Sequence, residues 1–140
     1  IEYLDSTSQD YDGLIVIPPT APLRSVKDLE KCLEKFESGK FDVVTTVSDA
    51  HRSPYFNMIK VDNNGLASLV NDSHERISRR QDVPIVYDMT TVAYVVNPLF
   101  VKEKDSMFEG RMGCIHIPIE RSLDIDTEFD FKIAEYLIKE

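Results

Sequence analysis

Two aspartates separated by one residue are the most chemically suggestive pair in the sequence. Asp124 and Asp126 lie within a polar stretch, residues 121–130. On an extended strand the side chains of residues i and i+2 point the same way, so the two carboxylates would converge while Leu123 and Ile125 turned into the core. Converged carboxylates suit Mg²⁺, which takes oxygen ligands and is commonly held by one or two carboxylates plus a substrate phosphate. The spacing fits equally a strand end whose acids face water and favour the start of the next helix.

The residues that follow predict a helix directly after the pair. Residues 127–130 match the S/T-x-x-[DE] pattern that caps helix N-termini. Apolar residues then recur at helical spacing, namely Phe129, Ile133, Ala134, Leu137 and Ile138. The pair is therefore predicted at a strand-to-helix junction, which is where ligands bind in open α/β sheets.

Composition limits the classes of protein to consider. The 140 residues, 42% hydrophobic and 29% charged, are typical of one soluble globular domain. A net charge of -9 argues against a nucleic-acid or membrane-surface partner, and no apolar run reaches the length of a membrane span. Cys32 and Cys114 are unclustered, which predicts two buried thiols in a reducing cytoplasm, with a disulfide as the alternative.

The predicted elements indicate an α/β fold with a Rossmann-like mixed sheet. Residues 13–17 form a short apolar run that predicts a buried parallel strand. Three prolines then stiffen residues 18–24, called the proline loop below, and Ser25 begins a capped helix. The remaining elements of the sheet are a strand at 41–47, a strand at 90–96, a short helix opened by Asn97 and Pro98, and a strand at 112–119.

Residues 51–87 predict an excursion from this sheet. Two strand-like runs at 55–61 and 66–70 flank a turn at Asn64-Gly65, the pattern of a β-hairpin. A polar, charged arm follows at 71–82. Such an inserted hairpin and arm commonly makes a subunit contact or a lid.

Three stretches together resemble the acylneuraminate cytidylyltransferases, also called CMP-sialic acid synthetases. P-T-A-P-L-R at residues 19–24 resembles the family's Q-P-T-S-P-L-R motif. R-Q-D-V-P at 80–84, followed by Tyr87, resembles its R-Q-x-x-P…Y segment. S-L-D-I-D-T-E at 122–128 resembles its closing D-I-D-T motif. The three occur in the family's order and extend over nearly the whole chain.

The resemblance implies a Rossmann-like nucleotidyltransferase and a reaction. CMP would pass from CTP to the anomeric hydroxyl of a nonulosonic, sialic-type acid, with release of pyrophosphate, in the cytoplasm. It also implies a homodimer in which the excursion reaches toward the partner's active site. A non-catalytic dimerisation or sugar-binding module that keeps the fold is the alternative. A haloacid-dehalogenase-type phosphatase also uses an Asp-x-Asp pair, but Glu128 and the polar residues before Asp124 do not fit its motif.

The same resemblance assigns roles to seven residues. They are Asp124 and Asp126 as the catalytic pair that holds Mg²⁺, Thr20 and Arg24 beside the nucleotide, and Arg80, Gln81 and Tyr87 beside the sugar acid. Arg24 could instead pin its own loop to a neighbouring carboxylate, and Tyr87 could be a core residue. No histidine pair has metal-ligand spacing, and the sequence identifies no general base.

Departures from the family pattern carry two further predictions. Pro18 stands where the motif has Gln, so a nucleotide or sugar contact from that side chain cannot be carried over. Thr90 and Thr91 stand where the family has Asn and Gly, which favours a modified nonulosonic acid of the legionaminic or pseudaminic type. The family's glycine- and lysine-bearing nucleotide loop has no counterpart before Gly13. The chain is therefore expected to be an N-terminally incomplete fragment that alone turns over CTP weakly or not at all.

Overall fold

The computed structural model describes residues 2–6, 10–71 and 83–139, which form two compact units. The first unit comprises Ile1–Ser48 and Met89–Glu140, and the second comprises Asp49–Asp88. The excursion predicted at residues 51–87 falls inside the second unit.

A four-stranded mixed sheet organises the first unit. Its strands are β1 (Leu14–Val16), β2 (Val43–Asp49), β5 (Tyr87–Val96) and β6 (Met112–His116), in the order β1-β5-β2-β6. β1 is antiparallel to β5, whereas β2 and β6 run parallel, with Val43 opposite Met112 and Val47 opposite His116. The predicted α/β class with a mixed sheet is confirmed, and its parallel pair brings the carboxyl ends of β2 and β6 to one edge.

The described residues include four α-helices, and contacts between neighbouring residues explain some of their ends. They are α1 (Glu2–Ser6), α2 (Val26–Glu37), α3 (Pro98–Glu103) and α4 (Glu128–Lys139). Asn97 caps α3 as predicted, because its side-chain oxygen accepts from the amides of Leu99 and Phe100. α2 packs against β6 and ends where Gly39, at φ 71°, donates its amide to the carbonyl of Phe36.

The core lies between the sheet and α2. Val44, Val92, Val95 and Ile117 are its largest buried aliphatic residues, and Leu29, Leu33 and Phe36 of α2 pack against this cluster. Cys32 is buried there, and burial raises the pKa of its thiol to about 11. Cys114 is exposed and both cysteines are free, so the prediction of a second buried thiol was wrong.

The apolar run at residues 13–17 is not a buried parallel strand. β1 lies at the edge of the sheet, pairs with β5 in antiparallel fashion, and leaves Ile15, Val16 and Ile17 exposed. Composition predicted burial here, but an edge strand has a neighbour on one side alone. The apolar stripe of α4 is likewise largely exposed, since Ala134 is the residue of that helix that is buried.

The second unit contains the predicted hairpin. β3 (Ile59–Val61) and β4 (Ala67–Leu69) pair antiparallel, with Ile59 opposite Leu69. The turn is held by Asp62, whose carboxylate accepts from the amides of Asn64 and Leu66, and Gly65 takes φ 81° as the turn requires. Within the described part of the chain, no helix has the length and apolar character needed to cross a membrane.

Candidate functional site

The two aspartates lie on an irregular connection rather than on a strand. β6 ends at His116, a 3-10 helix covers Ile119–Arg121, and residues 122–127, the acidic segment, have neither helical nor strand structure before α4 begins. The strand expected to carry the pair ends early because Pro118 has no amide hydrogen to continue the ladder. The last hydrogen bond to the neighbouring strand is from the amide of Ile117 to the carbonyl of Val47, at 2.9 Å.

A backbone hydrogen bond nevertheless attaches the acidic segment to the proline loop. The amide of Ile125 donates to the carbonyl of Thr20 at 2.9 Å. Asp124 and Asp126, on either side of Ile125, are therefore held next to a residue of the loop motif. Ile125 and Thr20, about a hundred residues apart in sequence, thus come together in the structure.

The two carboxylates differ in their surroundings. Asp126 is exposed, whereas Asp124 is partly buried and its Oδ1 has no hydrogen-bond partner among the described residues. A buried carboxylate oxygen without a donor is costly, because nothing replaces the water it has lost. Asp124 therefore presents an acceptor that a cation or a ligand donor could satisfy.

Arg24 holds the proline loop in shape from within. Its Nε donates to the carbonyl of Ala21 at 2.7 Å, and its Nη2 donates to the carbonyl of Pro18. The alternative that Arg24 pins its loop is thus partly right, although the acceptors are backbone carbonyls and not a carboxylate. The third guanidinium nitrogen, Nη1, is buried and has no partner in the part of the chain that the structure describes, and burial lowers the pKa of Arg24. The two N–H donors of Nη1 thus remain for an acceptor from outside the loop.

An ion pair between Arg121 and Asp28 also ties the acidic segment to the start of α2. Arg121 donates through Nε to Oδ2 at 2.9 Å and through Nη2 to Oδ1 at 2.8 Å. Burial alone would raise the pKa of the Asp28 carboxyl, but hydrogen bonds from Arg121 and Ser25 outweigh it and lower that pKa to about 2. The capping pattern at Ser25 predicted the contact between Ser25 and Asp28, whereas nothing in the sequence marks Arg121 as a partner of Asp28.

Tyr94 is a further residue of this region that the sequence did not indicate. It lies on β5 opposite Val16 and is partly buried. Burial raises the pKa of the Tyr94 hydroxyl, and the negative charge of Asp124 raises it further. Tyr94 and Asp124 are therefore close enough to interact electrostatically.

The predicted cap at residues 127–130 is confirmed. The Asp130 carboxylate accepts from the amide of Thr127 at 2.8 Å and from its hydroxyl at 2.6 Å, while the Asp130 amide donates to the same hydroxyl at 3.2 Å. The amide of Asp126 also donates to this carboxylate at 3.3 Å. Hydrogen bonds from Thr127 lower the pKa of Asp130, so the carboxylate stays ionised and fixes the end of the acidic segment.

Of the three residues expected beside the sugar acid, the structure describes Tyr87. Arg80 and Gln81 are outside the described residues. Tyr87 begins β5 and is 48% exposed, so it is not a core residue. Thr90 is buried with its Oγ1 2.6 Å from that of Thr46, whereas the buried Oγ1 of Thr91 has no partner among the described residues.

Comparison with curated proteins gives a consistent set of relatives. The chain is 37% identical over 130 residues to post-translational flagellin modification protein B of Campylobacter coli, covering 93% of this chain and 54% of that protein. It is 36% identical over 93 residues to the CMP-N,N'-diacetyllegionaminic acid synthase of Campylobacter jejuni, covering 66% of this chain and 38% of the synthase. Pseudaminic acid cytidylyltransferase of the same species is 26% identical over 139 residues, or 99% of this chain and 59% of the enzyme.

The chain therefore spans about half the length of the curated relatives that it matches. No family model matches it. Among solved structures, 4-diphosphocytidyl-2C-methyl-D-erythritol synthase of Anaerococcus prevotii superposes with a TM-score of 0.62 at 11% identity, covering 99% of this chain and 65% of the other. At that identity the likeness shows a shared fold.

Proposed function

Because the chain belongs to the acylneuraminate cytidylyltransferase family, we propose that it takes part in transferring CMP from CTP to a nonulosonic acid. The anomeric hydroxyl oxygen of the sugar acid would form a bond to the α-phosphorus of CTP, and the bond to the departing pyrophosphate would break. The observation that carries this proposal is the buried Asp124 Oδ1, which has no hydrogen-bond partner among the described residues and is held next to the proline loop by the Ile125–Thr20 hydrogen bond.

Asp124 and Asp126 are the residues that would hold Mg²⁺. No group of three His, Cys, Asp or Glu side chains within the described ranges is arranged to bind a metal. A pair of carboxylates suits Mg²⁺, because this ion keeps several waters and binds through one or two carboxylates plus substrate phosphates. The Oδ1 of Asp124, which none of the described residues satisfies, supplies the acceptor that such a site needs. When bound, the ion would neutralise charge on the reacting phosphates.

Arg24 would contribute a fixed donor to the nucleotide. Two of its nitrogens are engaged by the carbonyls of Ala21 and Pro18, so the third, Nη1, is held in one orientation. A guanidinium nitrogen without an acceptor favours an anionic oxygen, and the phosphates of CTP supply such oxygens. Phosphoryl-type transfer needs positioning and charge neutralisation more than covalent chemistry from the protein. Both are what the proline loop and the acidic segment would provide.

For the sugar acid we propose a modified nonulosonic acid of the legionaminic or pseudaminic type. Arg80, Gln81 and Tyr87 would contact it by resemblance. The Thr90 hydroxyl pairs with that of Thr46, whereas the Thr91 hydroxyl has no partner within residues 2–6, 10–71 and 83–139. The names of the Campylobacter jejuni relatives, which include both sugar types, support this class of substrate. Since CTP is a cytoplasmic nucleotide, the reaction is expected in the cytoplasm.

We also propose a homodimer formed through the hairpin of the second unit. Ile59 and Val61 share one face of β3, and each is 62% exposed. A two-stranded hairpin is marginal by itself and needs a surface against which its apolar face can pack. Light scattering of the purified chain should give the mass of a dimer, and Ile59→Lys should convert it to a monomer with its first unit intact.

Calorimetry of CTP binding tests the nucleotide proposal. The chain should bind CTP in the presence of Mg²⁺ and lose that binding in Asp124→Asn. Glu128→Gln is the matched control, because it removes an equal charge from an exposed side chain paired with Lys132 one turn along α4. Equal CTP affinity in Asp124→Asn and wild type would refute the site.

The exposed hairpin face favours one second candidate, a dimerisation module without catalysis. That module would dimerise and show no affinity for CTP with or without Mg²⁺. Turnover is a separate measurement. This 140-residue chain alone should release little or no pyrophosphate from CTP and sugar acid. Robust release would contradict the expectation of an incomplete enzyme.

A further inference from the structure

The ion pair between Arg121 and Asp28 joins the two motifs of the candidate site from outside both. Asp28 lies four residues after the proline loop, and Arg121 immediately precedes the acidic segment. The Asp28 carboxylate is fully buried and receives four donors, two from Arg121 at 2.8 and 2.9 Å and two from Ser25 at 2.8 and 2.9 Å. Oδ2 accepts three of these hydrogen bonds and Oδ1 accepts one, so both carboxylate oxygens are engaged within the protein.

The acidic segment depends on contacts of this kind because it has no ladder or helix of its own. Its start is closed by the amide of Ser122 donating to the carbonyl of Ile119, at 3.1 Å. Its middle is fixed by the Ile125–Thr20 hydrogen bond at 2.9 Å. Asp124 lies between these points, three residues after Arg121 and one before Ile125.

We propose that Arg121 and Asp28 are positioning residues for Asp124 and Asp126. Their bidentate pair fixes the chain on the amino side of Asp124, and the Ile125–Thr20 bond fixes it on the carboxyl side. The two carboxylates are then preorganised for a divalent cation before it binds. This inference deepens the proposed function, since it assigns the support of the same cation site.

Arg121 suits this role better than a lysine would. A guanidinium binds both carboxylate oxygens in one plane, so the pair defines an orientation as well as a distance. Outer contacts that orient metal ligands typically change metal affinity by about 10- to 100-fold when removed. Loss of this bidentate pair should therefore weaken cation binding, although neither Arg121 nor Asp28 touches the cation.

The attachment of the acidic segment by the Arg121–Asp28 pair is called the brace below. Hydrogen exchange of the Ile125 amide measures it without any metal. Arg121→Gln should increase the exchange rate of this amide by about tenfold or more, because the segment then loses its side-chain attachment on the amino side of Asp124. The amide of Ala93, within β5, should exchange as in wild type. The double variant Asp28→Asn/Arg121→Gln removes both charges along with the bidentate pair. It replaces Arg121→Gln in this measurement if the single variant does not fold.

Binding of Mn²⁺, followed by the electron paramagnetic resonance signal of the free ion, measures the consequence. Arg121→Gln should weaken Mn²⁺ binding about 10- to 100-fold, with Arg121→Lys in between. Arg111→Gln is the matched control, since it breaks another bidentate Arg–Asp pair in the same unit. Val44→Ala is the control for lost stability, because it opens a cavity in the core and should leave Mn²⁺ affinity unchanged while the protein stays folded.

The outcomes separate this inference from the proposed function. If wild type binds Mn²⁺ and Arg121→Gln binds it equally well, the positioning role is overturned and the proposed function stands. If wild type binds no Mn²⁺ but Ile125 exchange depends on Arg121, the cation site is refuted and the brace is supported. Unchanged Ile125 exchange in every folded Arg121 variant overturns the brace itself.

Discussion

Two bidentate Arg–Asp pairs lie at opposite ends of the parallel strands β2 and β6. Asp42 and Arg111 precede the two strands, with Nε–Oδ2 and Nη2–Oδ1 distances of 3.1 Å. Asp28 and Arg121 lie at the other end, beyond the carboxyl end of β6, with distances of 2.9 and 2.8 Å. The side chains of the first pair are 25% and 66% exposed, whereas those of the second are 1% and 34% exposed.

The same chemistry therefore serves different ends in the two places. At the amino ends, hydrogen bonds from Arg111 lower the pKa of Asp42, but water competes for both partners. At the carboxyl ends, the carboxylate is removed from water and depends entirely on its protein donors. The buried pair is also the one next to the candidate cation site. The two pairs have the same residue types and differ in burial. The buried Asp28–Arg121 pair constrains the site, whereas the Asp42–Arg111 pair lies at the surface.

The largest effect expected is from breaking the buried pair. Arg121→Gln leaves the Asp28 carboxylate buried without its cationic partner, which destabilises the folded state. Because the Arg121 side chain is 34% exposed, the loss should be smaller than the roughly 3–5 kcal/mol typical of a fully buried pair. Urea unfolding should show a corresponding fall in the free energy of unfolding. A loss under about 1 kcal/mol would mean that Asp28 is hydrated or finds another partner, and the contrast between the two pairs would disappear.

Acid should weaken the same pair in the wild-type protein, because it protonates Asp28. The folded-state pKa of Asp28 is about 2, below its ordinary value of 3.8, so the stabilisation is complete above pH 4 and is lost as pH falls toward 2. A shift of this size corresponds to about 2 kcal/mol. Unfolding measured from pH 5 to pH 2 should show this loss in wild type, and the Asp28→Asn variant should show a shallower dependence. Parallel curves for the two proteins would contradict the assignment.

The smallest effect is expected at the exposed pair. Arg111→Gln should leave the midpoint of urea unfolding close to that of wild type, because exposed ion pairs contribute little. Any difference at low salt should shrink as ionic strength rises. A change as large as that in Arg121→Gln, or one insensitive to salt, would show that burial does not explain the difference between the pairs.

Features that depend on residues close together in the sequence could be predicted. Asn97 and Thr127 cap helices, and Gly65 allows the hairpin turn, because each effect depends on residues within one turn of the chain. The mixed sheet followed from the order of these elements. Prediction of the Asp124–Asp126 pair as a unit near Thr20 came from the motifs, which fixed residue types and not backbone conformation.

What could not be predicted depends on contacts distant in sequence. Arg121 and Asp28 are 93 positions apart, and no local pattern reveals that they meet. Periodicity predicted that the two carboxylates would lie on a strand, but Pro118 and the 3-10 turn after it remove the chain from the sheet before Asp124. The apolar residues of β1 predicted burial, whereas exposure at a sheet edge is set by topology.

Paramagnetic broadening by Mn²⁺ tests the central claim most directly, because it reports where on the protein a divalent cation binds. In amide spectra of the wild-type chain, substoichiometric Mn²⁺ should first broaden the signals of Thr20 and of residues 124–126. Those of Asp42 and Arg111, at the other end of the strands, should stay sharp. Asp124→Asn should abolish the broadening. Broadening centred elsewhere, or equal in Asp124→Asn, would contradict a cation site built from the acidic segment and the proline loop.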